Sequence, residues 1–309
     1  MAKYLVTGGA GFIGSNLVEE LLKRGENVKV LDNFLTGRKQ NLVPFLNDIE
    51  LVEGDMTHYH VALKAMDGVD FVLHQAALPS VPRSVADPLT SNYVNVNGTI
   101  NLLHAALEKK VSRLVYASSS SVYGDSPVSP KVETLPPAPK SPYAVSKLTG
   151  EYYCRVFSQV YGLETVSLRY FNVFGPRQDP GSPYSAVIPK FLRAMLRGER
   201  PTIYGDGSQS RDFTFVANNV SANLLACTAP GVAGGVFNIA CGTNFTLLEL
   251  VAGLNRVLGT SVEPILGNER AGDIKHSLAD IHAAREKLGY LPHVSFEDGL
   301  KKLIDNFEG

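Results

Sequence analysis

The sequence predicts an α/β fold in which a doubly wound, mostly parallel sheet carries helices on both faces. In the first two-thirds of the 309-residue chain, short runs of β-branched residues alternate with longer amphipathic stretches, as in successive βαβ units. The short runs are apolar nearly throughout, which is typical of strands buried on both faces. Because the carboxyl ends of such strands meet at one edge of the sheet, we expect the functional residues in the loops that follow them.

Each predicted element is placed by its own pattern. The predicted strands are Tyr4–Thr7, Val28–Leu31, Ile49–Val52, Asp70–His74, Leu114–Ser118, Thr165–Arg169 and Val236–Ala240. The predicted helices are Phe12–Arg24, Val61–Met66, Leu89–Lys109, Tyr143–Tyr161, Val216–Thr228, Thr246–Leu258 and Leu278–Leu288. Loops rich in glycine and proline follow Asn172, so we expect a main domain over 1–172 and 213–240 and a smaller, discontinuous C-terminal substrate lobe over 173–212 and 241–309.

The composition restricts the class of protein. Hydrophobic residues make up 44% of the chain and charged residues 19%, values typical of a globular protein. A net charge of −1 gives no indication of a nucleic-acid partner. The cysteines Cys154, Cys227 and Cys241 lack metal-site spacing, so no metal is expected and a reducing compartment is indicated. With a strand pattern at Lys3–Thr7, no leader and no apolar run of ~18 residues, we expect a cytoplasmic protein without a membrane partner.

A glycine-rich segment, Thr7–Gly14, joins the first predicted strand to the first predicted helix. Gly8, Gly11 and Gly14 have the spacing of a dinucleotide-binding loop, in which the chain turns tightly and approaches a pyrophosphate closely. The N-terminus of the following helix offers free N–H groups and a partial positive charge to the anion. Strand, loop and helix in this order predict a Rossmann-type sheet that binds a dinucleotide.

An acidic residue at the end of the second strand predicts which dinucleotide binds. Asp32 lies ~20 residues beyond the loop, where a carboxylate binds both hydroxyls of the adenosine ribose. Its negative charge would repel a 2′-phosphate, which favours NAD over NADP, and Arg38 nearby does not replace it. Asp55, after the third strand, is predicted to lie near the adenine amino group.

The predicted catalytic residues come from the fifth strand end, Ser118–Gly124, and from the helix that begins near Tyr143. Tyr143 and Lys147 are four residues apart, so they share one helical face. An ammonium group beside a phenol stabilises the phenolate, as would a positively charged nicotinamide ring, and the ordinary pKa of ~10 is too high for a base at neutral pH. A serine at the strand end could relay the proton.

In its order of motifs the chain resembles the extended short-chain dehydrogenase/reductase family and, within it, the nucleotide-sugar 4-epimerases, particularly those acting on UDP-N-acetylglucosamine and UDP-glucose. The motifs span nearly the whole chain: Thr7–Gly14, Asp32-Asn33, Asp55, His74–Ala77, Ser80–Ser84, Asn97–Thr99, Ser118–Gly124, Tyr143–Lys147, Arg169–Pro176, Tyr204–Gly207, Ser210–Phe213 and Arg270–Asp273. The resemblance implies inversion at C4′ of a UDP-hexose through a transient 4-keto sugar, with NAD regenerated in each turnover.

The resemblance also implies a role for each matching residue. Ser119, Tyr143 and Lys147 would be catalytic. The implied NAD-binding residues are Gly8, Gly11, Phe12, Ile13, Gly14, Asp32, Asn33, Thr36, Gly37, Asp55, Met56, Gln75, Ala76, Ala77, Asn97, Tyr143, Lys147, Tyr170 and Val173. The implied substrate-binding residues are Ser80, Ser119, Ser121, Tyr143, Asn172, Ala186, Val187, Ile203, Tyr204, Arg211, Arg270, Asp273 and Ser277, with the two arginines neutralising the pyrophosphate.

Other functions remain open at this point. A nucleotide-sugar 4,6-dehydratase would need acids where this chain has Ser120 and Ser121, and serine is poorly suited to that acid–base work. A UDP-glucuronate 4-epimerase is a further alternative. A dinucleotide-binding scaffold or redox sensor would typically lack the tyrosine or the lysine, and this chain retains both Tyr143 and Lys147.

The finer expectations concern substrate size and assembly. The resemblance implies that Ser277, four residues after Asp273, lies near the C2 group of the sugar. An aromatic residue there would exclude N-acetylated sugars, so serine predicts acceptance of UDP-GlcNAc and UDP-GalNAc as well as UDP-Glc and UDP-Gal. Family analogy also predicts a homodimer through the Leu89–Lys109 and Tyr143–Tyr161 helices, although burial within one chain would explain the same apolar residues.

Overall fold

The computed structural model describes residues 1–179, 187–269 and 275–306. The strands are β1 (Lys3–Thr7), β2 (Asn27–Asp32), β3 (Ile49–Glu53), β4 (Phe71–His74), β5 (Arg113–Ser119), β6 (Glu164–Tyr170), β7 (Val173–Phe174), β8 (Thr202–Tyr204), β9 (Ser210–Arg211), β10 (Thr214–Phe215), β11 (Gly235–Ile239), β12 (Phe245–Thr246), β13 (Ile265–Gly267) and β14 (His276–Ser277). The helices are α1 (Phe12–Lys23), α2 (Tyr59–Ala65), α3 (Val81–Ala86), α4 (Pro88–Asn92), α5 (Gly98–Glu108), α6 (Pro142–Tyr161), α7 (Val187–Leu196), α8 (Val216–Thr228), α9 (Leu247–Leu258), α10 (His282–Leu288) and α11 (Phe296–Asp305).

The main sheet has seven parallel strands in the order β11-β6-β5-β4-β1-β2-β3. Its strand order reverses at β1, because β2 lies on one side of that strand and β4 on the other. This arrangement confirms the predicted Rossmann-type α/β class. A crevice at such a reversal, at the carboxyl ends of the strands, is where ligands bind in open α/β sheets.

Consecutive residues of the central strands pack into two separate apolar cores. In β1, Tyr4 and Val6 belong to one core and Leu5 to the other. In β5, Val115 likewise faces the first core while Leu114 faces the second. Because successive side chains of a strand point to opposite faces, both faces of the sheet are buried, which explains the apolar strand sequences.

Two predicted helices differ from the observed ones. The single helix predicted over Leu89–Lys109 is divided into α4, a π-helical turn at Tyr93–Asn97, and α5. The helix predicted from Leu278 begins only at His282, because residues 278–280 are extended and hydrogen-bond to Lys131. Helices α3, α7 and α11 were not predicted from the sequence.

The chain after Asn172 returns to the main sheet once and otherwise forms small sheets of its own. Strand β11 pairs with β6, so the chain returns to the sheet where the sequence predicted, and the short strands β7 and β10 pair in parallel. Strand β9 lies between β12 and β14 in a small separate sheet. The division into two domains at the predicted boundaries stays a proposal. Within the described ranges, no helix is long and apolar enough to cross a membrane.

Candidate active site

A cavity of about 560 Å³ lies at the carboxyl edge of the main sheet. It brings together the predicted cofactor-binding residues Gly8, Gly11, Phe12, Ile13, Gly14, Asp32, Asn33, Thr36, Gly37, Asp55, Met56, Gln75, Ala76, Ala77, Tyr143, Lys147, Tyr170 and Val173. We call it the cofactor cavity.

Asn97 is the predicted cofactor residue that does not line this cavity. It is exposed at the end of the π-helical turn, whereas Val94 from the same turn reaches the cavity. The turn also buries Asn95, which accepts a hydrogen bond from the Leu78 N–H (2.7 Å) and donates one to Ser146 Oγ (3.0 Å). Asn97 was assigned to the cofactor by the family resemblance alone, and within this turn Asn95 is the asparagine that faces inward.

Two positions in the glycine loop at the base of the cavity can hold only glycine. Gly8 has a φ of +69°, and a Cβ there would lie 2.8 Å from the main chain of Ala76. A Cβ on Gly14 would collide with the carbonyl oxygen of Gly8. The loop leads into α1, whose first N–H groups have no acceptor within the helix and face the cavity at Phe12 and Ile13. This is a main-chain site for a phosphate group.

Asp32 is held in place at the end of β2 by main-chain donors. Its Oδ2 accepts from the Ala10 N–H (2.9 Å) and its Oδ1 from the Phe34 N–H (2.8 Å). Burial raises the pKa of this carboxyl, and the main-chain hydrogen bonds act in the opposite direction. Each oxygen retains a free lone pair for a ribose hydroxyl. The glycine loop, the N-terminus of α1 and this oriented carboxylate together form a site that fits NAD.

Asp55 lies on the same side of the cofactor cavity. It accepts hydrogen bonds from Asn33 Nδ2 (2.9 Å) and from both the N–H and the hydroxyl of Thr57 (2.8 and 2.7 Å). Burial alone would raise its pKa, but the hydrogen bonds from Thr57 and Asn33 outweigh that effect and hold the pKa below its usual value. Asp55 is therefore an oriented anion at the predicted adenine end.

The predicted catalytic residues lie together at the opposite end of the cofactor cavity. Tyr143 is half-buried in the first turn of α6, which Ser141 caps by accepting from the Ala144 N–H (3.2 Å). Burial raises the pKa of Tyr143, while a hydrogen bond with the Ser119 side chain lowers it less strongly. The protein alone therefore does not lower the pKa of Tyr143 as the sequence analysis expected.

Lys147 is buried one turn along α6 and donates to the carbonyl oxygen of Ala117 (2.8 Å). Burial lowers its pKa to about 8, although Cys154 and Glu151 act to raise it. Its ammonium group is thus fixed against the end of β5, next to Ser118 and Ser119 in the cavity wall. A cation at this place can interact with a ligand held beside Tyr143.

A buried network beneath the catalytic residues was missed by sequence reasoning. Glu151 and Arg169 form an ion pair through two hydrogen bonds of 2.9 and 2.8 Å, and Ser118 Oγ also donates to Glu151. The Arg169 guanidinium lies 4.7 Å from the centre of the Tyr123 ring. The network ties α6 to the ends of β5 and β6. Its sequence signal was the i, i+4 spacing of Glu151 from Lys147 on one helical face.

A second cavity, of about 320 Å³, is separated from the first by Asn172, which lines both. We call it the distal cavity. It contains four predicted substrate residues, Ser121, Asn172, Arg211 and Ser277, whereas the predicted Ser80, Ser119 and Tyr143 line the cofactor cavity. The remaining lining residues, which the sequence analysis did not assign to substrate, are Ser120, Tyr123, Gly124, Lys131, Phe171 and His276.

Three basic residues, Lys131, Arg211 and His276, line the distal cavity. None of the described residues that line it is Asp or Glu. The Ser121 hydroxyl is buried there, with no hydrogen-bond partner in the described part of the chain. Buried hydroxyl groups are nearly always hydrogen-bonded, so this oxygen is suited to contact a ligand.

Several predicted substrate residues lie elsewhere. Ile203 is fully buried in the apolar core and lines neither cavity; Tyr204, beside it in β8, is partly exposed. Val187 is half-buried at the start of α7. Ala186, Arg270 and Asp273 lie outside the described residues.

A Rossmann sheet with a serine, a tyrosine and a lysine at one end of its cofactor cavity is characteristic of the short-chain dehydrogenase/reductase enzymes. Within that class, the chain belongs to the NAD-dependent epimerase/dehydratase family, whose model matches residues 4–240.

Three relatives illustrate the similarity. A putative UDP-glucose 4-epimerase of Methanocaldococcus jannaschii is 37% identical, over 97% of each chain. The solved structure of a UDP-N-acetylglucosamine 4-epimerase from Methanobrevibacter ruminantium, in complex with UDP-N-acetylmuramic acid, is 41% identical with a TM-score of 0.94, and the match covers 99% of this chain and 98% of that one. A UDP-glucose 4-epimerase from Thermotoga maritima, with UDP-glucose, is 37% identical with a TM-score of 0.93, at 99% and 98% coverage.

Proposed function

We propose that the protein is an NAD-dependent UDP-hexose 4-epimerase that accepts UDP-GlcNAc and UDP-GalNAc as well as UDP-Glc and UDP-Gal. The observation that carries this proposal is the junction of the two cavities. Ser119 and Tyr143 lie in the cofactor cavity, Ser121 and Arg211 lie in the distal cavity, and Asn172 belongs to both. A UDP-sugar in the distal cavity can therefore direct its hexose toward the catalytic tyrosine. The similarity to named 4-epimerases over nearly the full length supports the same function.

The chain's own residues would divide the work as follows. Tyr143, hydrogen-bonded to Ser119, exchanges the proton of the sugar 4′-hydroxyl. When bound, NAD would supply hydride transfer to and from C4′, and its positively charged nicotinamide ring would favour the phenolate form of Tyr143. Lys147 keeps a second positive charge at the end of β5. Arg211 binds the diphosphate, a role suited to a fixed guanidinium fork, while Asn172 orients it.

Dehydration of the sugar is disfavoured by the lining of the distal cavity. Elimination of water across C5 and C6 requires an acid and a base near those carbons. Ser120 and Ser121 occupy the turn after β5, and the described lining of the distal cavity contains neither Asp nor Glu. The 4-keto sugar would therefore return to a hydroxyl group rather than lose water.

The small side chain of Ser277 supports acceptance of N-acetylated hexoses. It lies in β14 beside Arg211 in β9, and both residues line the distal cavity. Serine leaves space where an aromatic ring would fill the cavity. A second candidate, UDP-glucuronate 4-epimerisation, is favoured by one observation, the basic lining that Lys131 and His276 give this cavity, which suits a carboxylate.

The function is tested by offering the NAD-loaded protein UDP-Glc, UDP-Gal, UDP-GlcNAc, UDP-GalNAc and UDP-glucuronate separately and following C4′ inversion by NMR. We expect interconversion within the Glc/Gal and GlcNAc/GalNAc pairs. Turnover of glucuronate alone would support the second candidate, and a 4-keto-6-deoxy product would identify a dehydratase. Bound NAD without turnover of any UDP-sugar would instead support a dinucleotide-binding scaffold or sensor.

We also propose that the protein forms a homodimer through an exposed face of α4 and α6. Leu102, Leu103 and Ala106 in α5 are buried within the chain, so they do not contribute to this face. In contrast, Leu89 is 82% exposed and Val160 68% exposed. Exposed Val85, Tyr93, Val145, Tyr152, Val156 and Tyr161 lie on the same helices or beside them.

Analytical ultracentrifugation tests the dimer with the double variant Val156→Asp and Val160→Asp. We expect it to sediment as a monomer, because two charges would be buried in the interface. Leu291→Asp, at an exposed apolar residue outside these helices, is the matched control. A wild-type monomer at micromolar concentration would contradict the dimer.

A further inference from the structure

Asp212 lies between β9 and β10 and has a wholly buried carboxylate. Its Oδ1 accepts from the Cys241 N–H (2.9 Å), and its Oδ2 accepts from the N–H groups of Gly242 (3.0 Å) and Ala279 (3.3 Å). These donors come from the segment after β11 and the segment after β14. Asp212 belongs to the Ser210–Phe213 motif, but it has no predicted role in that motif.

The main chain of Asp212 contacts the residues that line the distal cavity. Its N–H donates to the Ser277 carbonyl oxygen (2.8 Å), and its own carbonyl oxygen accepts from Asn172 Nδ2 (3.1 Å). Arg211 precedes it directly and pairs with Ser277 through β9 and β14. Three cavity residues from three distant segments are thus connected through Asp212.

We propose that Asp212 is a positioning residue that sets the geometry of the UDP-sugar site, an inference that rests on the proposed function. The three hydrogen bonds that the carboxyl group accepts all come from main-chain N–H groups. If the hydrogen bonds of the carboxylate are lost, the segments of Gly242 and Ala279 are released from it. The segment that carries Ser277 can then shift relative to the Asp212 main chain, which holds Asn172. Arg211 and Ser277 line the distal cavity and not the cofactor cavity, so the main effect is on the sugar nucleotide.

The test compares Asp212→Asn with Asp206→Asn in NAD-loaded protein. Asp206 is the matched control, because its carboxylate also accepts a main-chain N–H, that of Ser208 (2.9 Å), but it is exposed and lines neither cavity. Asparagine at position 212 turns an amide N–H₂ toward main-chain donors. We expect the Kd for UDP and the KM for UDP-galactose to rise ~10-fold or more, with kcat changed less than KM and NAD affinity unchanged. Asp206→Asn should match the wild type.

Two results would overturn the proposal. One is an Asp212→Asn protein whose UDP affinity and KM equal those of Asp206→Asn. The other is an equal loss of NAD and UDP affinity, which would show a general structural role. If Asp212→Asn does not fold, Asp212→Glu, which keeps the charge but displaces it, is judged by the same contrast of UDP with NAD. UDP binding can be measured without turnover, so the test of Asp212 does not depend on epimerase activity. Failure of the proposed epimerase function would instead appear in the assay of the wild-type protein.

Discussion

The cofactor cavity and the distal cavity are built in different ways. The cofactor cavity is lined mainly by residues at or after the ends of successive strands of one sheet. The distal cavity is formed by side chains from segments far apart in sequence, such as Ser121, Asn172, Arg211 and Ser277. A regular sheet edge thus places the predicted catalytic residues, whereas the geometry of the distal cavity depends on how the irregular segments pack together.

The largest expected effect is at the junction between the two cavities. Tyr143→Phe removes the hydroxyl group that exchanges the substrate proton, and we expect kcat to fall ~10²–10⁴-fold. NAD content and UDP affinity should stay close to those of the wild type, because the ring and its packing are retained. Steady-state rates and cofactor absorbance after purification measure these quantities. Tyr153→Phe, at an exposed tyrosine of the same helix, is the control, and comparable rates for the two variants would exclude Tyr143 as the acid–base residue.

The next largest effect is expected at the cofactor cavity and should leave the distal cavity unchanged. Asp32→Asn keeps the shape of the side chain but removes the charge that binds the ribose hydroxyls. Hydrogen bonds to charged groups contribute ~1.5–3 kcal/mol, so NAD affinity should fall ~10–100-fold while the Kd for UDP is unchanged. The preference for NAD over NADP should narrow in the same variant. Unchanged NAD affinity by calorimetry would show that Asp32 only stabilises its own turn.

A smaller and more selective effect is expected on the sugar side. Ser277→Tyr fills the distal cavity, so the KM for UDP-GalNAc should rise ~10-fold or more, as one or two kcal/mol of steric cost imply. The KM for UDP-galactose should change much less. Ser277→Ala, which leaves the space open, is the control. Equal losses for both sugars would mean that Ser277 does not distinguish them.

The smallest effect concerns pH. Burial lowers the pKa of Lys147 to about 8, so its positive charge is lost as the pH rises through that value. We expect kcat/KM to decline above pH 8, by about tenfold for each further pH unit, and Lys147→Arg to move this decline to higher pH. The free energy of unfolding changes in the opposite direction. Between the lowered pKa of Lys147 in the folded protein and the ordinary pKa of lysine, the unfolded chain binds more protons than the folded chain. The contribution of Lys147 to the free energy of unfolding therefore increases as the pH rises through this range. A flat wild-type rate profile between pH 7 and 10 would contradict this role.

The sequence predicted the cofactor cavity better than the distal one, for physical reasons. Gly8, Gly14 and Asp32 act through local turn geometry and a fixed spacing, and such patterns are visible in a single sequence. Asn97, which the family resemblance implied as a cofactor residue, is exposed at the end of a π-helical turn and does not line the cavity, and no local pattern in the sequence indicates such a turn. Lys131 contacts Asn238, which lies 107 positions away in the sequence, and Asp212 contacts Ala279, which lies 67 positions away. No local pattern indicates such tertiary contacts.

The central claim is that a UDP-hexose and NAD meet at Tyr143 and that inversion at C4′ follows. The most direct measurement offers the NAD-loaded protein UDP-galactose that carries deuterium at C4′ and analyses the products by NMR and mass spectrometry. The account predicts UDP-glucose with the deuterium retained at C4′ and no accumulation of free NADH. UDP-glucose that has lost its deuterium to solvent, or a dehydrated sugar in place of the epimer, would contradict it.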